Sequence, residues 1–239
     1  MKLSDHISSL FFPPKCCGCG EIITPNISLC SSCEQKRAHF SEGRGFCKVC
    51  GQTKENCICV GRHFFKKSVF AFFHESEVKN TVYQFKFRGK LFHARGFAKQ
   101  MYDAAQESGI LTNADFIVPV PMHPLNELRR GYNQADILAK EFSKISGVKY
   151  LRALKKLDRT ETQHDLPPLE RAGNIAGAFE VKKRYINVVN GRRIILVDDI
   201  MTTQATLNEA AKTLMIFEAE EVYVIAAAAA RNKKRKLKR

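Results

Sequence analysis

The 239-residue sequence lacks the features of several large classes of protein. No stretch approaches the roughly 20 apolar residues that a membrane helix needs. The opening segment MKLSDHISSLFFPPKCC has neither the long apolar run nor the small-residue cleavage site of a secretory signal. We therefore expect a cytoplasmic protein that is not inserted in a membrane.

Two common nucleotide-binding fingerprints are also absent. No Gly-x4-Gly-Lys-Ser/Thr segment occurs, which argues against a P-loop enzyme, and no Gly-x-Gly-x-x-Gly follows a predicted strand. If the chain binds a nucleotide or a sugar phosphate, it must therefore use a different loop.

Cysteine is confined to one part of the chain. All nine cysteines lie between Cys16 and Cys59, and residues 60–239 contain none. Clustered cysteine pairs in a chain without a secretion signal favour metal thiolates over disulfides. The shift in composition predicts a cysteine-rich module over residues 1–62, a larger domain over residues 63–230, and a disordered basic tail over residues 231–239.

Eight of the cysteines form four pairs at metal-ligand spacing. Four thiolates complete the tetrahedral shell of a structural zinc ion and leave no open position for a substrate. The sequence therefore predicts two structural zinc sites. Sequential pairing is the simplest arrangement, and an interleaved one would use the same residues. Cys17 remains without a ligand role. The predicted ligands are Cys16, Cys19, Cys30, Cys33, Cys47, Cys50, Cys57 and Cys59.

Basic residues are in excess over the whole chain, whose formal net charge is +15. Such an excess favours encounter with nucleic acid, although a solvated surface is an equal alternative. Aromatic residues such as Phe85, Phe87 and Phe92 lie between several of the basic ones. This pattern fits a groove that stacks single-stranded DNA, unless the rings belong to the core. The candidate nucleic-acid contacts are Lys86, Arg88, Lys90 and Arg95.

From Ser68 onward, apolar strands alternate with helices. Strands are predicted for SVFAFF, DFIVPVP, IILV and EVYVIAAAA, and a further short one for KYLRALKKL. Residues 158–178 show little periodicity and predict a long functional loop. The alternation predicts a mostly parallel α/β sheet covered on both faces, with ligands at the carboxyl ends of its strands.

The clearest unit begins with the apolar strand Ile194–Val197. Two carboxylates follow it and can accept hydrogen bonds from vicinal ribose hydroxyls, while hydroxyl residues and loop amides at the next helix start suit a phosphate. An ordinary capped helix after a buried strand is the alternative. The candidate site residues are Asp198, Asp199, Ile200, Met201, Thr202, Thr203, Gln204, Ala205 and Thr206.

This unit resembles the phosphoribosyl pyrophosphate loop of type I phosphoribosyltransferases. Five segments, in order, resemble the ComF family of competence proteins over nearly the whole chain except the tail. They are LFFPPKCCGCG, YQFKFRGK, VPVPMHPLNELRRGYNQA, RTETQHDLPPLERAGNIAGAF and VDDIMTTQAT. The resemblance implies a type I phosphoribosyltransferase fold with an N-terminal double zinc ribbon.

The resemblance also implies a ligand and a role. Phosphoribosyl pyrophosphate would bind with Mg²⁺, and its pyrophosphate end would lie near His123, Arg129 and Arg130. An alternative is that this segment only caps the following helix through Asn133. The implied role is the handling of incoming single-stranded DNA in natural transformation, with an uptake helicase or another competence protein as partner. A phosphoribosyltransferase active in nucleotide or base salvage is the other interpretation.

One position departs from the family pattern. The family loop usually has glycine where this chain has Gln204. Glycine lets the backbone close on a phosphate, so Gln204 is expected to adopt a similar conformation despite its side chain.

Overall fold

The computed structural model describes residues 13–38, 47, 49–53, 57, 59, 62–157, 177–202 and 204–231. Three predicted features lie wholly or mostly outside these residues. They are Thr203 of the candidate loop, nearly all of the loop predicted over residues 158–178, and the basic tail beyond Arg231.

Seven strands are described. Five of them form one parallel sheet in the order β1-β7-β6-β2-β3, and β4 pairs with β5 as a separate antiparallel ribbon. Parallel neighbours require long crossover connections, which the intervening helices supply. The strands are β1 Lys67–Phe73, β2 Phe116–Pro119, β3 Lys149–Tyr150, β4 Leu154–Lys156, β5 Phe179–Val181, β6 Arg193–Met201 and β7 Glu221–Ala229.

The helices follow the predicted alternation. Two of the helices end at Ser108 and Ser146, and each is followed by a glycine, Gly109 or Gly147. Both glycines have a φ angle of 75°, which suits glycine because it has no Cβ. The helices are α1 Ser31–Glu34, α2 Ser76–Phe87, α3 His93–Ser108, α4 Pro124–Arg130, α5 Gln134–Ser146, α6 Ile186–Val189 and α7 Ala205–Ile216, with a 3₁₀ turn at Lys183–Tyr185.

The core is built on the two central strands. Ile194–Val197 of β6 and Val224–Ala229 of β7 are fully buried, as expected for a parallel sheet covered on both faces. The predicted parallel α/β architecture is therefore confirmed. Among the described residues, none of the helices combines the length and apolar character that a membrane-spanning segment needs.

Two strands differ from the sequence prediction. The segment predicted as one short strand after α5 is divided, because residues 149–150 pair with β2 whereas residues 154–156 pair with β5. The strand predicted at Ile194–Val197 continues to Met201, because Asp198, Ile200 and Met201 also pair with β7. The two carboxylates are thus held within a strand instead of following it.

The cysteine-rich segment packs directly on the sheet and its helices. Cys17 is fully buried against Gly96 of α3, and Gln100 Nε2 donates to Ser28 Oγ at 2.9 Å. Arg37 forms an antiparallel bridge with Phe72, so this segment covers the outer edge of β1. A covered edge cannot pair with the strand of another chain.

Candidate ligand site and metal centres

The carboxylate pair, Asp198 and Asp199, lies near the carboxyl end of β6. Backbone N–H groups hold both side chains: Asp199 N donates to Asp198 Oδ1 at 2.8 Å, and Ile200 N donates to Asp199 Oδ1 at 2.7 Å. Lys86 reaches the pair from α2 and places its Nζ 3.0 Å from Asp199 Oδ2. The pair therefore has one cation beside it and a fixed orientation.

The electrostatics of the pair favour a ligand that donates hydrogen bonds. Burial and the neighbouring charge of Asp199 raise the pKa of Asp198 to about 8, although the Asp199 N–H and Lys86 act in the opposite direction. Asp199 Oδ2 is buried and, within the described part of the chain, accepts no hydrogen bond of good geometry. Sugar hydroxyls or a cation would satisfy these oxygens.

Gln204 has a left-handed backbone. It lies in the candidate ligand-binding segment of residues 200–206, the binding loop. Its φ of 62° is a conformation that costs a non-glycine residue about 1–2 kcal/mol. Its side chain is tethered, since Nε2 lies 3.2 Å from the Cys50 carbonyl oxygen and 3.3 Å from Met201 Sδ. Gln204 thus adopts the glycine-like conformation expected from the sequence, and a contact with the cysteine-rich segment supports it.

The loop leads into the first turn of α7. Gln204 O accepts the first helical hydrogen bond from Asn208 N at 2.8 Å, and Thr202 and Thr206 are exposed. The Asn208 side chain binds the segment before β1, accepting from Phe64 N at 2.8 Å and donating to Arg62 O at 3.2 Å. The free N–H groups of a helix start offer a partial positive charge to an anion.

The residues predicted for the pyrophosphate end have helix-capping roles. His123 Nδ1 accepts from Leu125 N at 3.3 Å, and Asn133 Oδ1 accepts from Ala135 N at 3.1 Å. Arg130 donates to Gln134 Oε1 at 2.8 Å, whereas Arg129 is exposed. The capping interpretation of Asn133 is therefore confirmed, and the assignment of His123, Arg129 and Arg130 to pyrophosphate stays a prediction.

The basic and aromatic residues of the predicted DNA groove separate into two groups. Phe85 is buried in the core, whereas 52% of Phe87 and 54% of Phe92 are exposed. Lys86 is directed to the carboxylate pair. The core alternative thus holds for Phe85, and the DNA groove stays a prediction. The remaining predicted contacts, Arg88, Lys90 and Arg95, are exposed.

A cavity beside the carboxylate pair was not predicted from the sequence. Its volume is about 400 Å³, and α2 supplies most of its wall. The sequence could have indicated this cavity through a spacing of three and four residues along α2, because that spacing places the lining side chains on one face of the helix. The lining residues are His74, Ser76, Lys79, Asn80, Tyr83, Lys86, Phe87 and Ile200.

The eight predicted ligand cysteines form two clusters with sequential pairing. The first cysteine cluster contains Cys16, Cys19, Cys30 and Cys33, and the second contains Cys47, Cys50, Cys57 and Cys59. Sulfur atoms lie 3.8 Å apart for Cys16–Cys30 and 3.7 Å apart for Cys47–Cys59. Four thiolates around one Zn²⁺ at about 2.3 Å give an S···S edge of about 3.8 Å, so both clusters fit zinc.

The thiol pKa values also suit a bound cation. Burial, and to a smaller extent neighbouring cysteines, raise the pKa of Cys19 and of Cys50 to about 11. At Cys47, burial is outweighed by the N–H groups of Cys50 and Val49, which lower its pKa to about 7. A divalent cation shared by four thiolates offsets their mutual repulsion.

Comparison with known proteins agrees with this geometry. Residues 91–239 match the family model described as "Phosphoribosyl transferase domain". Competence protein F of Haemophilus influenzae is 30% identical over 90% of this chain and 96% of its own length. DNA utilization protein YhgH of Salmonella typhimurium is 27% identical over 84% of this chain and 83% of its own, and competence protein ComFC of Bacillus subtilis is 27% identical over 81% and 80%.

Among solved structures, the chain is similar to one titled "Structure of the allosteric regulatory enzyme of purine biosynthesis". The identity is 23% and the TM-score 0.38, and the match covers 56% of this chain and 25% of that one. The family match covers residues 91–239, and the match to the relative from Haemophilus covers 90% of the chain. The chain therefore belongs to the ComF family of competence proteins and carries a phosphoribosyl transferase domain.

Proposed function

We propose that this protein binds phosphoribosyl pyrophosphate with Mg²⁺ at the carboxyl end of β6 and acts in natural transformation, handling incoming single-stranded DNA in the cytoplasm. The observation that carries the proposal is the carboxylate pair beside the binding loop. Asp199 Oδ2 is buried and, among the described residues, has the Lys86 ammonium 3.0 Å away but no hydrogen bond of good geometry, so a ribose hydroxyl would supply one. The loop amides and the Thr202 and Thr206 hydroxyls would hold the 5′-phosphate.

Mg²⁺ fits the donor set that this edge of the sheet offers. Proteins usually hold it through one or two carboxylates together with substrate phosphates and water. Asp198 and Asp199 offer carboxylate oxygens, and the pyrophosphate offers the phosphate oxygens. In this assignment His123, Arg129 and Arg130 contact the pyrophosphate, since guanidinium groups match phosphate oxygens.

The role in DNA handling is supported by the relatives and by charge. The relatives are named as competence and DNA utilization proteins. The net charge of +15 favours association with a polyanion, and Arg88, Lys90 and Arg95 are exposed. An uptake helicase or another competence protein is the expected protein partner.

The cavity beside the carboxylate pair favours phosphoribosyl transfer as a second candidate function. A transferase needs room for an acceptor next to the ribose, and this cavity of about 400 Å³ provides it. The test is release of pyrophosphate, followed by ³¹P NMR, in the presence of bases and nucleotides as acceptors. Release that depends on an acceptor would support transfer, and its absence with every acceptor would leave ligand binding as the activity.

Calorimetric titration with phosphoribosyl pyrophosphate and Mg²⁺ tests the main proposal. We expect specific binding that weakens at least tenfold in the Asp198→Asn, Asp199→Asn double variant, whose zinc content should match that of the wild type. Affinity retained in the double variant would contradict the site assignment. Repeating the titration with single-stranded DNA present should change the measured affinity. An unchanged value would mean that DNA and phosphoribosyl pyrophosphate bind independently.

A further inference from the structure

Exposed apolar side chains gather where the first cysteine cluster meets the start of α3. Ile22, Leu91 and Phe92 are 68%, 39% and 54% exposed. Lys15 and Ile22 lie opposite each other in an antiparallel bridge, and Lys15 Nζ is 6.0 Å from the centroid of the Phe92 ring. Side chains that are directly opposite in such a bridge point to the same side. The cysteine-rich segment and the start of α3 therefore share one apolar surface.

Cations border this surface. Phe92 packs on the buried ring of His93, with the ring centroids 4.2 Å apart. Burial, with smaller contributions from the charges of Lys15 and Lys90, lowers the pKa of His93 to about 4, so both ammonium groups lie near these rings. Arg95 is exposed one turn of α3 beyond Phe92. Among the described residues, no carboxylate forms an ion pair with Lys15, Lys90 or Arg95.

We name the surface formed by Lys15, Ile22, Lys90, Leu91 and Phe92 the docking patch. Protein–protein interfaces combine an apolar centre, often with an aromatic ring, and a polar rim. Interfaces with DNA are much more positively charged, and attraction to an anionic membrane usually depends on a cluster of about four to eight basic residues. A patch with more apolar side chains than cations therefore matches a protein partner better than it matches DNA or a lipid surface.

Charge argues against a second copy of the chain as that partner. The formal net charge is +15, so two copies repel each other. A symmetric contact between two docking patches would also place Lys15 and Lys90 of one copy against the same cations of the other. A partner with carboxylates avoids this repulsion and supplies the missing acidic groups, and such complementarity makes association faster and more specific.

We propose that the docking patch binds an acidic segment of a partner protein. Apolar side chains of that segment pack on Ile22, Leu91 and Phe92, while its carboxylates pair with Lys15 and Lys90. The docking patch shares no residue with the carboxylate pair, the binding loop or the cavity beside them, so the inference does not rest on binding of phosphoribosyl pyrophosphate. Because Lys90 was also predicted as a DNA contact, single-stranded DNA is the main competing occupant.

Selection of displayed peptides tests the docking patch without knowledge of the partner. Random peptides on phage are selected on the immobilised full-length protein, and the enriched sequences are synthesised with a fluorescent label. We expect them to carry Asp or Glu around one or two apolar residues, and anisotropy titrations measure their affinities. Enriched peptides without an excess of acidic residues would contradict the proposal.

Patch variants and matched controls locate the binding site of these peptides. Ile22→Ser removes exposed apolar area, and Lys15→Glu with Lys90→Glu reverses the charge of the rim. We expect each change to weaken peptide binding about tenfold, and the charge reversal should also abolish its weakening by salt. Ile216→Ser is the apolar control because Ile216 is 66% exposed on α7, and Lys149→Glu is the charge control because Lys149 is exposed on β3. Both controls should bind like the wild type.

The same variants identify any other occupant. They are titrated with a labelled oligothymidylate and with phosphatidylglycerol vesicles, and sedimentation equilibrium measures self-association. The inference is overturned if Ile22→Ser weakens binding of DNA or vesicles as much as binding of the peptides, or if it dissociates an oligomer of the wild type. It is also overturned if Ile216→Ser loses as much peptide affinity as Ile22→Ser.

Two further measurements separate loss of docking from other failures. Circular dichroism and zinc content should match those of the wild type in every variant, which shows that the fold is retained. Calorimetry with phosphoribosyl pyrophosphate should also give the wild-type result for the patch variants. Failure of the proposed function would appear in that titration with the wild type, whereas failure of the docking inference would appear only in the peptide titrations.

Discussion

The two cysteine clusters have the same donor set and contact different parts of the fold. The first cluster lies against helices: Thr81 Oγ1 of α2 donates to Gly18 O at 2.9 Å, and Cys17 packs on Gly96 of α3. Ala38, just beyond this cluster, donates from its backbone N–H to Ala71 O of β1 at 2.8 Å. The first cluster is thus attached to the side of the sheet.

The second cluster also contacts β1, where Ser68 N donates to Val49 O at 2.8 Å, and in addition it reaches the carboxyl ends of β6 and β7. Gln52 Nε2 donates to Ala230 O just beyond β7 at 3.0 Å, and Gln204 of the binding loop donates to Cys50 O at 3.2 Å. The contacts of the first cluster are thus with α2, α3 and β1, whereas those of the second include the binding loop. The difference predicts that the two clusters affect stability and ligand affinity separately.

Loss of the first cluster should have the largest effect. We expect Cys16→Ser with Cys30→Ser to remove one zinc per chain and to lower the free energy of unfolding by several kcal/mol, because structural zinc contributes folding energy directly. Thermal unfolding followed by circular dichroism measures the change. A variant that unfolds at the wild-type temperature would show that the first cluster is not needed for the fold.

The contact between the first cluster and α3 should be sensitive to a single methyl group. A Cβ added at Gly96 would lie 2.7 Å from Cys17 Cβ. We expect Gly96→Ala to destabilise the protein by about 1–3 kcal/mol through overpacking. Helix propensity alone would stabilise by about 1 kcal/mol, so the sign of the change in urea unfolding distinguishes the two effects.

Loss of the second cluster should act mainly on the ligand. We expect Cys57→Ser with Cys59→Ser to remove the other zinc and weaken phosphoribosyl pyrophosphate binding about tenfold, while the unfolding temperature falls less than after loss of the first cluster. Hydrogen exchange of residues 200–206 should increase, since their tether is lost. Unchanged affinity and exchange would mean that the loop does not depend on the second cluster.

A change of pH tests the carboxylate pair. An ionised Asp198 accepts hydrogen bonds from a sugar more strongly than its neutral form does, and burial and the charge of Asp199 raise its pKa to about 8. Affinity for phosphoribosyl pyrophosphate should therefore rise by up to about tenfold between about pH 7 and pH 9 and then level off, with proton release at pH 7. Calorimetry in buffers of different ionisation enthalpy detects the proton, and a flat profile would contradict this pKa.

The smallest effect concerns Gln204 itself. Gln204→Ala removes the tether to Cys50 and keeps the strained φ, so we expect a loss of affinity of a few fold. Gln204→Gly removes the tether and relieves the strain of about 1–2 kcal/mol, so its affinity should exceed that of Gln204→Ala. Calorimetry on both variants measures this, and equal affinities would show that backbone strain at this position has no influence on binding.

The sequence was sufficient for the sheet and for the composition of the metal clusters. Alternating apolar strands and helices defined the parallel architecture because each strand had to be buried on both faces. Cysteine spacing identified the eight ligands, but it could not decide their pairing, because sequential and interleaved sites use the same residues. Only the fold shows that Cys16 is near Cys30 and that Cys47 is near Cys59.

Long-range contacts at the site were beyond sequence reasoning. Lys86 was predicted as a DNA contact because of its neighbours in the chain, whereas the structure pairs it with Asp199 over 113 positions. Gln204 is expected from the sequence to adopt a glycine-like conformation, but its tether to Cys50, 154 positions away, could not be foreseen. Such pairs depend on how α2 and the cysteine clusters dock on the sheet, which no local pattern encodes.

Sequential pairing also has a consequence for synthesis on the ribosome. The ligands of the first cluster are all available once Cys33 has been made, whereas β1 must wait for β7, which begins at Glu221, before it gains its neighbour in the sheet. At about 5–20 residues per second this interval lasts on the order of ten seconds. The bridge between Arg37 and Phe72 gives the nascent β1 an earlier partner, so the first cluster can shield this apolar strand from neighbouring chains until the sheet closes.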